Sequence, residues 1–264
     1  MSVLTEILDR KRQRVEAART KTPLATLRDH VAGAGTHRLL NAIQRDGINI
    51  IAEYKRRSPS KGIIRSDIDV EMMVQNYELG GAAAISVLTE EDYFSGSLED
   101  LRKVKSVVAL PVLRKDFLFD EYQIYEAVVA GADAVLLIVA ALDDRQLLDL
   151  RQLAEDELGI DALVEVHDTS EMERAERIGA TLIGVNNRNL HTFEVTLQTS
   201  LKLSGVAPPT ATLVSESGLN NAEDLAMLAE VGYRGFLIGE SLMRAEDPAN
   251  TLQDLLGQTS TTKG

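Results

Sequence analysis

Glu53 and Lys55 lie two residues apart in the stretch IIAEYKRRSPSKG, residues 50–62. The stretch opens as an apolar run and ends in a polar loop carrying Ser58, Pro59, Ser60, Lys61 and Gly62. Side chains alternate across a strand, so the acid and the ammonium point to the same side. Holding both at the end of a buried strand is costly in desolvation. The pair serves either as a strand-end salt bridge or as a proton-transfer couple. Other apolar runs also end in polar groups. Lys115, Asp116 and Phe117 follow PVLR, Glu165 ends DALVE, and Asn186 and Arg188 end TLIGVNNR. Glu216, Ser217 and Gly218 end ATLVSESG, and Gly239 and Glu240 end GFLIGE. Such a mixture of carboxylates, ammonium groups and a guanidinium suits acid–base chemistry on an anion, if the fold brings the groups together.

The elements that must do so show in the hydrophobic periodicity. From Ile48 onward, short runs rich in β-branched residues or Leu alternate with helix-like segments. Strands are expected to begin near residues 48, 83, 111, 133, 161, 181, 211 and 235. Helices are expected over 70–79, 98–107, 121–130, 143–158, 170–178, 199–203 and 222–229. Gly80, Gly131, Gly159, Gly179 and Gly232 follow helices as C-caps, where glycine accepts the left-handed conformation. Eight strand–helix units of roughly 20 to 30 residues each predict an α/β fold, a single (β/α)8 barrel. Strands this apolar suit a parallel sheet covered by helices. A doubly wound sheet is disfavoured, because no G-x-G-x-x-G follows the first strand. Residues 1–45 read as an N-terminal helical extension packed on the barrel. Val3, Leu4, Ile7 and Leu8 recur at helical spacing, Leu24, Leu27 and Val31 follow, and Gly33 and Gly35 break the pattern. Residues 1–264 are thus expected to form one barrel domain with that extension, and no fused second catalytic domain.

In such a barrel the active site lies at the C-terminal ends of the strands, where every polar group named above falls. The chain carries 41 acidic against 28 basic residues, a net charge of −13. Strand ends in so acidic a protein should carry mostly Asp and Glu. Lys55, Lys115 and Arg188 there point to an anion. The SESG turn and the Gly239–Glu240 step into a short helix add a second signal. Backbone N–H groups at such turns hold phosphate, and barrels commonly place it at the last two strands. The same net charge disfavours nucleic acid. No apolar run approaches the roughly 20 residues that span a bilayer, and the charged N-terminus lacks a signal-peptide core. A cytoplasmic protein is expected, a monomer or weak homodimer without nucleic-acid or membrane partners. The absence of cysteine removes thiolate catalysis and Cys-ligated metals. His30, His37, His167 and His191 are scattered and read as surface or structural.

The motifs IIAEYKRRSPSKG, VLRKDF, ADAVLLIVA, LVEVHD, IGVNNRNL, VSESG and FLIGESLM resemble those of indole-3-glycerol phosphate synthase, from the N-terminal helices to about Arg244. The resemblance implies a sugar-phosphate substrate, 1-(2-carboxyphenylamino)-1-deoxyribulose 5-phosphate. It closes to an indole ring with loss of CO₂ and then water, without a metal or organic cofactor. Lys115 is implied as the general acid. Glu53, Glu165 and Lys55 share the later proton transfers, and Asn186 hydrogen-bonds the substrate hydroxyls or orients the glutamates. Arg188 is implied to meet the anthranilate carboxylate, and Ser58, Pro59 and Glu216 to line the site. Phe94, Phe117, Leu136 and Leu190 form an apolar slot for the ring. The phosphate falls to Ser217, Gly218, Gly239 and the N–H of Glu240, with help from Lys55. Glu240 departs from the small Ser that often follows the strand 8 glycine in the family, so its carboxylate must turn away. Trp is absent, so the N-terminal segment cannot stack an indole on the substrate.

Two other readings stay open on the residues alone. One is a sugar-phosphate isomerase or aldolase with a Schiff-base lysine. Asp116 beside Lys115, with Glu53 and Glu165 as neighbours, favours the charged lysine instead. The other is a barrel that has kept only metabolite or partner binding. The presence of the whole charged set weighs against it.

Overall fold

The computed structural model describes residues 3–31, 35–190 and 192–258. Gly33, His191 and the tail beyond residue 258 lie outside them. Eight parallel strands close a barrel in chain order. They are β1 (Asn49–Tyr54), β2 (Ala84–Leu88), β3 (Val112–Lys115), β4 (Ala134–Ile138), β5 (Asp161–Val166), β6 (Leu182–Asn186), β7 (Thr212–Glu216) and β8 (Tyr233–Ile238). β8 pairs back onto β1, with Asn49 opposite Gly235 and Ala52 opposite Ile238. The expected (β/α)8 barrel is therefore the fold of this chain.

Three helices precede the barrel: α1 (Val3–Lys21), α2 (Leu24–Asp29) and α3 (Arg38–Ile43). The first seven strands are followed in turn by α4 (Val70–Leu79), α5 (Leu98–Val107), α6 (Glu121–Val129), α7 (Asp144–Gln152), α8 (Thr169–Arg177), α9 (Gln198–Ser204) and α10 (Ala222–Glu230). α11 (Glu240–Arg244) and α12 (Pro248–Leu255) follow β8. Side chains of Ser97, Asp120, Asp143, Asp168 and Asn221 accept backbone N–H bonds at the starts of α5, α6, α7, α8 and α10. Each satisfies a donor that the first turn leaves open.

Two expectations need correction. Gly80 is not a left-handed cap: its φ is −73°, and Gly81 takes the left-handed turn at φ 90°. Gly80 is needed for close approach, because a Cβ there would lie 2.8 Å from the Ala249 carbonyl oxygen. The helix expected over 143–158 is not a uniform α-helix. Its last part, Leu153–Glu157, widens into a π-helix, with the Leu158 N–H bonded to the Leu153 carbonyl at 3.0 Å. That turn buries Glu155, whose carboxylate accepts the Ala162 N–H at 3.4 Å.

Strand alternation sorts the core into two shells. Outward residues such as Ile50, Val87, Val135 and Val164 pack under the helices. Inward residues Ile51, Leu113, Leu136, Leu163, Leu182, Val214 and Leu237 fill the barrel, joined by Leu39 and Ile43 of α3. α3 thus plugs the N-terminal end. Asp161 at the start of β5 holds it by accepting the N–H groups of Leu39 and Leu40 at 2.8 and 3.0 Å. With one end plugged, polar groups have space at the other.

Candidate active site

At the open end, each odd-numbered strand contributes one polar residue pointing inward. They are Glu53 on β1, Lys115 on β3, Glu165 on β5 and Glu216 on β7. Each stands two positions past an inward apolar residue: Ile51, Leu113, Leu163 and Val214. In a barrel of this shear, alternate strands supply one layer, so residues distant in the chain meet at one height.

The contacts are direct. Lys115 Nζ lies 3.0 Å from Glu165 Oε2 and also donates to Glu216 Oε2. Lys55 Nζ donates to Glu53 Oε1 at 2.5 Å, and Ser86 Oγ lies 3.5 Å from Glu53 Oε2. Asn186 lies close enough to Glu165 to favour its ionised form. Its Oδ1 accepts from the Arg188 backbone N–H at 3.0 Å and from Ser217 Oγ at 2.9 Å. The even strands make room. A Cβ on Gly184 of β6 would collide with Glu216 Oε1, and one on Gly239 would come within 2.7 Å of Glu53 Oε1.

Burial and charge act in opposite directions here. Burial disfavours the Lys115 ammonium, but Glu216, Glu165 and Glu53 outweigh it and raise its pKa. Burial also opposes charge on Glu165, yet Lys115 and His167 hold its pKa below the usual carboxylate range. Glu216 goes the other way. Burial, with Glu165 and Glu53 close by, pushes it up to about 7 against the pull of Lys115. Its Oε1 is buried without a hydrogen-bond partner. The two carboxylates sharing one ammonium are therefore unequal: one stays ionised while the other keeps a proton near neutrality.

A cavity of about 810 Å³ opens above this layer, and every residue singled out from the sequence lines it. Phe94 and Phe117 form one apolar wall, their ring centroids 6.1 Å apart. Leu136, Leu190 and Val3, Leu4 and Ile7 of α1 add to it. Ser58 and Pro59 reach it from a short two-stranded ribbon after β1, in which Arg57–Ser58 pairs with Gly62–Ile63. Arg188 enters from the loop after β6, with Nη1 3.3 Å from the Phe193 carbonyl oxygen. Ser217 and Gly218 both adopt left-handed backbone, φ 67° and 79°, at the loop after β7. Gly239 caps the start of α11, and the Glu240 carboxylate accepts Arg244 Nε at 3.2 Å. Lys61 and Arg244 also line the cavity near these loops.

The sequence reading went astray at some positions. Asp116 is not a counter-ion of Lys115. Neighbours on a strand face opposite ways, and Asp116 binds Lys11 Nζ at 3.0 Å, Arg114 at 3.3 Å and Thr89 Oγ1 at 2.6 Å. This buried network ties α1 to the residue after Lys115. Lys11 sits among the apolar positions of α1, Ile7, Leu8 and Val15, which was the available signal for its burial. Glu216 is more than a lining residue, because it bonds Lys115 directly. The histidines divide. His30 is exposed, and His37 pairs with Asp161 at the plugged end at 3.0 Å. His167 stands against Glu165, its Nε2 3.4 Å from Oε1.

Comparisons with known proteins identify the family to which the chain belongs. The family model for indole-3-glycerol phosphate synthase matches residues 4–255. The indole-3-glycerol phosphate synthase of Carboxydothermus hydrogenoformans is 47% identical over 262 residues, covering 96% of this chain and 99% of that protein. Its counterpart from Koribacter versatilis is 47% identical over 260 residues, covering 97% and 99%. Among solved structures, 3-hexulose-6-phosphate synthase from Salmonella typhimurium matches at a TM-score of 0.63 and 15% identity, covering 80% of this chain and 100% of that one. Thiamine phosphate pyrophosphorylase from Pyrococcus furiosus matches at 0.58 and 18%, covering 79% and 93%. At such identities the two structures share the fold alone. Near-complete coverage at 47% identity carries more: the chain belongs to the indole-3-glycerol phosphate synthase family, decarboxylating lyases of tryptophan biosynthesis that act on a small phosphorylated substrate.

Proposed function

We propose that the cavity closes the indole ring of 1-(2-carboxyphenylamino)-1-deoxyribulose 5-phosphate with Lys115 as proton donor. One observation carries this reading: the Lys115 ammonium is held between Glu165 and Glu216 beneath the cavity. Two carboxylates keep the lysine charged, which suits proton donation and opposes Schiff-base formation. As the aromatic carbon attacks the C2 ketone, negative charge gathers on the ketone oxygen, and the ammonium donates to it. Loss of CO₂ restores aromaticity. Dehydration then needs a base for one proton and an acid for the departing hydroxyl, roles we give jointly to Glu53, Lys55 and Glu165.

Asn186 orients Glu165, and Arg188 faces the anthranilate carboxylate. Phe94, Phe117, Leu136 and Leu190 hold the anthranilate ring, and Ser58, Pro59 and Glu216 complete the lining. Ser217, Gly218, Gly239 and the Glu240 N–H hold the phosphate, with Lys55 nearby. The reading is supported by the ion pair between the Glu240 carboxylate and Arg244, which occupies that carboxylate along the helix. We also read the protein as cytoplasmic, a monomer or weak homodimer without a cofactor, nucleic-acid partner or membrane partner. The net charge of −13 supports the nucleic-acid part, and no helix among the described residues is long and apolar enough to cross a membrane. The test is to supply the carboxyphenylamino sugar phosphate and follow indole absorbance and fluorescence. Folded protein that yields no indole signal would sink the reading.

A further inference from the structure

His167 is a buried ionisable group that touches the charged layer but has no role in the scheme above. It lies two residues past Glu165, with its side chain 13% exposed. Its ring stands between two carboxylates. Nδ1 is 3.0 Å from Glu171 Oε2, and Nε2 is 3.4 Å from Glu165 Oε1. Glu171 is itself held in place. Its Oε2 also accepts the His167 backbone N–H at 2.8 Å, and its own N–H donates to Asp168 Oδ1 at 2.9 Å at the start of α8. Nε2 is removed from water, and Glu165 Oε1 at 3.4 Å stands just outside a full hydrogen bond to it. A neutral imidazole has one N–H and serves one carboxylate, whereas the imidazolium has two. Acceptors on both sides of the ring therefore call for the cation.

We propose that His167 is a positioning residue for Glu165: as an imidazolium anchored by Glu171, it holds Glu165 Oε1 and leaves Oε2 to Lys115. It thereby selects Glu165, not Glu216, as the ionised carboxylate beside the lysine. The inference rests on the proton-transfer reading of Lys115 and Glu165. The ring contacts Glu171 on α8 and Glu165 on β5, and the charge of Glu216 at the end of β7 also reaches it; the cation beyond these acids is Lys115, paired with Glu165 and Glu216. Burial opposes charge on the ring, but the Glu171 hydrogen bond and these carboxylates outweigh it and raise the pKa above the ordinary histidine value. The consequence is chemical. When Lys115 gives up its proton, Glu165 loses its nearest cation. The imidazolium then keeps Glu165 an anion, ready to take the proton removed in dehydration.

The first test needs no turnover. The ring nitrogens of His167 are titrated by NMR in the wild type and in Glu165→Gln. Loss of one facing carboxylate should lower the imidazole pKa by about one unit. An unmoved value would overturn the proposal. The second test is kinetic. His167→Gln should lower kcat about tenfold while KM stays within about threefold. It should also move the acidic limb of the kcat profile to higher pH, because Glu165 becomes harder to ionise. In a Glu165→Gln background the same change should cost less than about twofold. A purely structural histidine would lower the melting temperature and leave the limb in place, and that outcome overturns the proposal. If the wild type fails to form indole while the imidazole pKa still responds to Glu165→Gln, the reaction reading fails and the contact stands.

Discussion

Glu216→Gln is the most informative perturbation, because it removes one titration from the buried layer while keeping shape. Glu216 is 2% exposed, and its folded-state pKa of about 7 stands well above the ordinary 4.5. The native state therefore holds this proton more tightly than the unfolded chain does. The resulting stability is fully present below pH 4.5 and is lost as pH rises through about 7. The displacement corresponds to roughly 3 kcal/mol across that window. In Glu216→Gln the group no longer titrates, so the decline in stability between pH 4.5 and 8 should flatten by about that amount. Urea titrations at several pH values, followed by circular dichroism because the chain has no Trp, would measure it. The absolute stability at one pH is less telling, since the amide also replaces one charged partner of Lys115. Parallel pH profiles for the wild type and the variant would refute the claim that Glu216 keeps a proton near neutrality.

Three other outcomes are expected. Lys115→Ala should abolish turnover, a loss of at least about 10²- to 10⁴-fold, while substrate still binds in the micromolar range by calorimetry; wild-type-like turnover would remove the proton-donor role. Millimolar phosphate or sulfate should raise the melting temperature by mass action at the loops after β7 and β8, and a scan without any shift would count against that site. Gly184→Ala places a methyl group against Glu216 Oε1. It should lower kcat by about tenfold or more with an intact circular dichroism spectrum, and full activity would show that Glu216 can move at no cost.

Much of the site was legible because strand alternation is a local rule. IIAEY states that Glu53 shares a face with Ile51, and LVE states the same for Glu165 and Leu163. Eight such runs separated by helices left few ways to bury their apolar faces other than a closed parallel barrel. The placement of every candidate residue around one cavity follows from those two facts. The same rule applied more strictly would have moved Asp116 to the opposite face from Lys115. Lys11 was harder to read, because a lysine in an amphipathic helix is ordinarily solvated, and its burial depends on Glu91 and Asp116, supplied from beyond the second and third strands.

The amino-acid order by itself determined the elements, the facing of each strand residue and the set of groups at the barrel mouth. These depend on periods of two and 3.6 residues and on neighbours a few positions away. Only the tertiary structure decided which of those groups touch. Lys115, Glu165 and Glu216 meet because closure and stagger of the barrel bring odd strands to one height, a distance that no local pattern encodes. The unequal ionisation of the two glutamates, and the turn of His167 toward one of them, arise from burial and from charges that closure alone brings within a few ångströms.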